Sequence, residues 1–304
     1  MNLRHVIESQ QFTVPLLMEL FERTKAMERI VTRGGTLDYQ HKIMASLFYE
    51  PSTRTRICFE AAMHRLGGQV CSTEHATIFS SEVEGEQLED TIRIISGYTD
   101  VIVLRHSELG GAARAASVSK VPVINAGDGS GGQHPTQALL DLYTIFRERR
   151  TLDGLTIAMV GELDRGRTVR SLAYLLSKFD RIKMYFVSPL EVQMKQDILQ
   201  HLEEHDVWYS LESELDRVIG DVDVIYVTQI RPGRMPEQTR LRRYFMDASV
   251  LQKTRPNAMI MHPLPRTLEL DKAVDDDARA FYFQQATNGL YVRMALLTMV
   301  LESK

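Results

Sequence analysis

The chain predicts an α/β fold: two domains, each a parallel sheet flanked by helices, with the active site between them. Three observations carry this. A length of 304 residues exceeds one typical domain and fits two of about 150 each. Short β-rich runs alternate with longer amphipathic segments, the pattern of βαβ units, which buries a parallel sheet under helices. The charged stretch "RERRTLDG", Arg147 to Gly154, ends in a turn before a fresh βα series, so a domain boundary falls there. The expected domains are residues 1–149 and 150–287, with the apolar final segment 288–304 a helix that packs back on the first domain.

In chain order, strands are expected at Lys42–Phe48, Gln69–Thr73, Val101–Arg105 and Pro122–Asn125, then at Thr156–Val160, Lys183–Val187, Val224–Thr228 and Met259–His262. Each is a short run rich in β-branched or other apolar residues. Helical periodicity lies between them, at Thr55–Leu66, Gln87–Ser96, Thr136–Arg147, Arg167–Phe179 and Gln193–Glu203. Hydrophobic residues make up 44% and charged residues 25% of the chain, which predicts a soluble globular protein rather than a disordered one. The net charge of −4 speaks against a general nucleic-acid or membrane-surface binder, so any anion site must be a local pocket. The N-terminus "MNLRHVIESQQF" has no apolar signal core, and no run approaches the roughly 18 apolar residues of a membrane span. Cys58 and Cys71 lie outside any metal-like spacing and fit a reducing compartment, so a cytoplasmic protein with buried thiols and no metal is expected.

In open parallel sheets ligands sit beyond the carboxyl ends of the strands, so the residues directly after each strand are the functional candidates. After the first strand comes Ser52-Thr53-Arg54-Thr55-Arg56, and after the Val101 strand comes Arg105-His106. The following strand ends give "AGDGSGGQHPTQ", "GELDRGRT", "QIRPGR" and "HPLPR". A Ser/Thr/Arg loop feeding a helix N-terminus offers N–H groups, hydroxyls and a positive dipole end, which together make a phosphate cradle. The plain alternative is an ordinary N-cap with solvated arginines. Arginine recurs at five of the six strand ends, and an acidic chain has no compositional reason to gather cations there.

Two look-alike motifs are weaker. Gly127 to Gly132 matches G-x-G-x-x-G, but Asp153, about 20 residues on, falls in a turn after a helix rather than at a strand end. Gly161 to Thr168 resembles a P-loop with arginine for lysine, yet Glu162 and Asp164 place carboxylates in the phosphate nest.

The segments "FYEPSTRTRICFEAAMHRLGG", "VLRH", "NAGDGSGGQHPTQALLDLYTI", "VGELDRGRTVRSL" and "MHPLPR", in this order and spacing, resemble the carbamoyltransferase family, in its aspartate branch. The resemblance runs to the closing "YFQQATNGLYVRMALL". It implies carbamoyl phosphate and an amino acid as substrates, with no cofactor. Ser52, Thr53, Arg54 and Thr55 would hold the phosphate. Thr55, Arg105 and His134 would bond the carbamoyl oxygen. Gln137 and the backbone at Pro263 and Leu264 would receive the carbamoyl NH₂, and Leu264–Pro265 would be cis. Arg167 would grip an α-carboxylate, and Glu50 and Arg234 would bridge the domains on closure. A homotrimer sharing sites through the Ser80 loop is implied, with room for an associated regulatory chain.

The departures from the family pattern lie on the acceptor side. Glu84 stands where the family carries lysine, and Gln229 and Arg231 exchange the family's arginine and glutamine; Ser80 is retained. A carboxylate in place of that lysine predicts that aspartate is a poor acceptor and that another amino acid is preferred. A relative that binds the ligands without catalysis, or a nucleotide-dependent enzyme, remains open at this stage.

Overall fold

The computed structural model describes residues 3–74, 85–230 and 242–303. Ser80, Glu84, Arg231 and Arg234 therefore lie outside the described residues. The chain divides into two compact units, Met1–Leu140 with Thr287–Lys304, and Asp141–Ala286.

The first unit is built on a four-stranded parallel sheet in the order β2-β1-β3-β4, from β1 (Ile43–Phe48), β2 (Gln69–Glu74), β3 (Val101–His106) and β4 (Val123–Asp128). Every residue of β3 and β4 is buried, as a sheet covered on both faces requires. Helices α1 (Val14–Thr32), α2 (Thr53–Arg65), α3 (Leu88–Ile95) and α4 (Gly111–Val118) belong to this unit. Helix α1 starts where Thr13 accepts a hydrogen bond from the Leu16 N–H and Pro15 takes a first-turn position, and it stops before Gly34 and Gly35, both at positive φ. One face of the sheet packs Ala45, Leu47, Ile102, Leu104 and Val123 against Leu88 and Ile92 of α3 and Ala115 of α4.

The second unit holds a five-stranded parallel sheet in the order β7-β6-β5-β8-β9. Its strands are β5 (Thr156–Val160), β6 (Lys183–Val187), β7 (Trp208–Glu212), β8 (Val224–Val227) and β9 (Met259–Met261). Helix α5 (Pro135–Arg149) precedes it, α6 (Arg167–Leu176), α7 (Gln196–Glu204) and α8 (Ala248–Lys253) connect its strands, and α9 (Tyr282–Glu302) closes the chain. The unit boundaries fall inside α5 and α9. The core around β5 and β8 packs Ala158, Val160, Ile225 and Val227 with Val218, Val222, Val250 and Tyr282.

The eight strands expected from the sequence are all present, with ends moved by a few residues. Strand β7 was not expected. It is an edge strand with Trp208 and Leu211 exposed, so its sequence carries no burial alternation, and its pairing with β6 is what makes it a strand. Cys58 and Cys71 are free; Cys58 is half-buried and Cys71 exposed, so the expectation of buried thiols fails at Cys71, which lies on the edge strand β2. Among the described residues no helix is long and apolar enough to cross a membrane.

Candidate functional site

Each sheet presents its candidate residues at the carboxyl ends of adjacent strands. In the first unit these are the exits of β1, β3 and β4, three neighbours in the sheet. The chain leaves β1 and turns through Ser52, which takes the N-cap position of α2 without a side-chain capping bond. The opening N–H groups of α2 have no partner within the helix and carry the positive end of its dipole. Thr55 is buried in the first turn, whereas Thr53 and Arg54 are exposed. Among the described residues no carboxylate pairs with Arg54. Protein around its guanidinium strips enough water to lower its pKa, so it is a cation short of counter-charge. Arg56, by contrast, is paired to Glu60 at 3.3 Å, one helical turn on, and Glu60 also accepts from Ser46 and Ser72. Of the two arginines in this loop, Arg54 is the one available to an anion.

Arg105 stands where the register of β3 and β4 shifts: Leu104 pairs with Asn125 but His106 pairs with Asp128, so an extra residue bulges from β4. One terminal nitrogen of Arg105 donates to the Ala126 carbonyl at 3.1 Å and the other lies 3.2 Å from a Glu50 carboxylate oxygen. Glu50, expected to bridge domains, is thus paired with Arg105 within its own unit. His134 is buried immediately before Pro135, the first residue of α5. Its Nδ1 lies 3.4 Å from the Thr136 hydroxyl. If that hydroxyl donates, the ring proton sits on Nε2. Gln137, in the first turn of α5, is half-buried.

The glycines of this exit explain the dinucleotide look-alike. A Cβ on Gly129 would lie 2.4 Å from the Leu109 nitrogen, and Gly127 and Gly131 have φ of 128° and 84°. Chain crossing and tight turning account for these residues. The P-loop look-alike in the second unit fails as well: Glu162 and Asp164 are both buried in that turn, and Gly161 is required by a Thr228 oxygen 2.6 Å from where its Cβ would stand.

The second unit brings together the exits of β5, β8 and β9, again sheet neighbours. Arg167 is the first residue of α6, after Gly166. Gln229 follows β8; its carbonyl accepts from the Glu162 N–H at 3.3 Å, and its side-chain amide donates to the Pro265 carbonyl at 2.8 Å. The Gln229 side chain is therefore engaged with the turn after β9. In that turn Pro263 and Leu264 are half-buried, Leu264 has φ of 51°, and the Leu264–Pro265 peptide is cis. Arg266, one of the strand-end arginines, is engaged within the second unit. It forms a two-pronged pair with Asp275 and lies over the Tyr282 and Phe283 rings at 5.6 and 5.8 Å.

Sequence reasoning missed the buried polar groups beneath this turn. His262 Nε2 lies 3.0 Å from Glu269 Oε1, with both side chains fully buried, and His262 Nδ1 accepts the Leu264 N–H at 2.8 Å. Gln285 accepts the His262 N–H at 3.0 Å and donates to Asp141 at 2.6 Å; Asp141 also accepts from the Tyr226 hydroxyl at 2.7 Å. The histidine of "HPLPR" was the one visible signal, and its partners are apparent only in the fold.

Two family models match the chain. The carbamoyl-phosphate-binding domain of aspartate/ornithine carbamoyltransferase covers residues 4–147, and the aspartate/ornithine-binding domain covers residues 153–300. Chloroplastic aspartate carbamoyltransferase from Oryza sativa subsp. japonica is 52% identical over 99% of this chain and 86% of its own length. The aspartate carbamoyltransferase catalytic subunit of Methanocaldococcus jannaschii is 44% identical, over 99% of this chain and 98% of its own. Among solved structures, aspartate transcarbamoylase from Trypanosoma cruzi in complex with aspartate and phosphate superposes with a TM-score of 0.93 at 38% identity, covering 98% of this chain and 95% of that one.

Proposed function

Because the chain belongs to the aspartate/ornithine carbamoyltransferase family, we propose that it transfers the carbamoyl group of carbamoyl phosphate to the amine of aspartate, the carbamoyl-aspartate-forming step of pyrimidine synthesis. The observation that carries this is the tandem match: one chain holds both a donor-binding and an acceptor-binding domain of the family, at nearly full length. Arg54 at the start of α2, which no carboxylate pairs among the described residues, is the local feature that fits it.

In this reading Ser52, Thr53, Arg54 and Thr55 hold the donor's phosphate, and Arg167 takes the α-carboxylate of the acceptor. The neutral amine attacks the carbamoyl carbon and forms the new C–N bond. Negative charge then develops on the carbamoyl oxygen, where Thr55, Arg105 and His134 donate; such donors contribute on the order of 3 kcal/mol each in comparable sites. The C–O bond to phosphate breaks, and the departing phosphate accepts the amine proton, so no separate protein base is required. Gln137 and the carbonyls of Pro263 and Leu264 receive the carbamoyl NH₂. Arg105 must exchange Glu50 for the donor, a swap of one anionic partner for another.

The relatives weigh against the expectation that aspartate is a poor acceptor. Proteins about half identical to this chain along its whole length are named aspartate carbamoyltransferases. The charge argument rested on Glu84 and Arg231, outside the described residues, and on Gln229, whose amide faces Pro265. Incubating the protein with carbamoyl phosphate and L-aspartate should release phosphate and carbamoyl aspartate in equal amounts. Phosphate release that does not depend on aspartate would overturn the reading.

A homotrimer is part of the proposal. Its support is that a relative is named a catalytic subunit and that the first unit exposes Leu37, Ile57 and Tyr98, large apolar side chains that an assembly would cover. Sedimentation of a fully active single chain would exclude it. A cytoplasmic location also belongs to the proposal, to be checked by cell fractionation, since the plant relatives are named chloroplastic.

A further inference from the structure

The turn after β9 is held at both of its ends by one buried, hydrogen-bonded His–Glu pair. Glu269 Oε1 accepts from His262 Nε2 at 3.0 Å and from the Thr267 N–H at 2.9 Å, and its other oxygen accepts from the Thr267 hydroxyl. All of these are donors to the carboxylate, so Glu269 acts as an ionised acceptor. Burial alone would raise its pKa, but the hydrogen bonds from His262 and Thr267 outweigh burial and hold it below the ordinary value. Nε2 of His262 therefore carries the ring proton. Nδ1 is left as an acceptor, and it takes the Leu264 N–H at 2.8 Å. That bond fixes a non-glycine residue in the left-handed region, with φ of 51°, a conformation that needs support from its surroundings. The Gln229 amide holds the Pro265 carbonyl as well. Between these fixed points, the Pro263 and Leu264 carbonyl oxygens receive no hydrogen bond among the described residues.

We propose that His262 is a positioning residue for the carbamoyl donor: anchored through Nε2 by Glu269, it uses Nδ1 to hold the Leu264 N–H and so aims the Pro263 and Leu264 carbonyls at the carbamoyl NH₂. The inference rests on the carbamoyl-transfer reading and assigns that reading's specificity for a carbamoyl over a bare phosphate to a buried His–Glu pair. A phosphate ion has no NH₂, and its binding groups lie on α2, so the pair distinguishes the two ligands.

The test exploits two substitutions that each keep half of the histidine. In His262→Asn the amide oxygen falls near the position of Nδ1 and still accepts the Leu264 N–H. In His262→Gln the longer side chain still reaches Glu269 but offers nothing at Nδ1. Carbamoyl phosphate kcat/KM should fall on the order of 30-fold in His262→Gln, the scale of a sub-ångström misplacement of reacting groups, and recover to within about 3-fold of wild type in His262→Asn. The inhibition constant for inorganic phosphate should stay unchanged in both. Glu269→Gln, which keeps the shape, should show a smaller loss of the same selective kind and serves if the histidine variants unfold. Equal losses in His262→Asn and His262→Gln, or parallel weakening of phosphate and carbamoyl phosphate, would overturn the inference while leaving wild-type turnover intact. A wild type without aspartate-dependent turnover would overturn the functional reading and the inference together.

Discussion

Arg54 and Arg56 sit two positions apart on one helical turn, and their surroundings give them different work. Arg56 has Glu60 at 3.3 Å, whereas Arg54 has no carboxylate among the described residues and its pKa is lowered by desolvation. A cation left short of counter-charge at a helix start is stabilised by an arriving phosphate. Arg54→Ala should therefore weaken carbamoyl phosphate by about 2–5 kcal/mol, as for the loss of one partner from a hydrogen-bonded charge pair. Calorimetry on that variant checks it, and unchanged affinity would remove Arg54 from the cradle. At this scale the phosphate-side candidates were legible because they are contiguous: Ser52 to Arg56 are five neighbours whose chemistry shows without a fold. Arg266 was counted in the same survey only as a strand-end cation, and its pairing with Asp275, which depends on the path of the chain, could not be seen there. The His262–Glu269 pair was invisible for a related reason: it works on a ligand only through the backbone it holds.

Among the elements, parallel strands with both faces covered were the easiest to read, because burial on two sides produces unbroken apolar runs such as "VIVL" in β3. The strand that escaped, β7, is an edge with exposed Trp208 and Leu211. Helix α4 escaped as well. Its sequence "GAARAASV" carries little apolar contrast, and its N-cap Gly110 supplies no side chain. The cap comes from another strand end: Asp128 accepts the Gly110 N–H at 2.9 Å. That same Asp128 belongs to the glycine-rich exit of β4, where its own N–H donates to the Gln133 carbonyl at 3.0 Å, so the residue that starts α4 also closes the turn before His134. The turn's glycines match the pattern of a nucleotide motif because close backbone approach is needed in both cases; the position of Asp153 already spoke against it in the sequence, and the Leu109 backbone supplies the glycines' actual reason.

For the whole molecule, acid should separate the two units. Among the described residues, the second unit holds four carboxyls below their ordinary values: Asp197 beside Arg170, Glu269 beneath the β9 turn, Asp275 at about 2 and Asp277 at about 2. Hydrogen bonds from Arg266 and Arg279 are the main cause for the last two. In the first unit Glu302 is also held down, where burial is outweighed by hydrogen bonds from Arg23 and Tyr39. A carboxyl with a depressed folded pKa binds its proton more readily in the unfolded chain. It therefore contributes its full stability above the unfolded value, 3.8 for aspartate, and loses it as pH falls toward about 2. His5 and His201, one in each unit, are both pushed down by burial and do not separate the units. The second unit should then unfold first on acidification below about pH 4. The protein's single tryptophan, Trp208, lies in that unit with its ring 5.1 Å from Tyr185, so its fluorescence reports the second unit alone. Far-ultraviolet circular dichroism reports both. The fluorescence transition should complete at a higher pH than the dichroism transition, which should keep a helical remainder. Coincident curves, or helix lost before the tryptophan responds, would show that the carboxyl distribution does not set the order of acid unfolding.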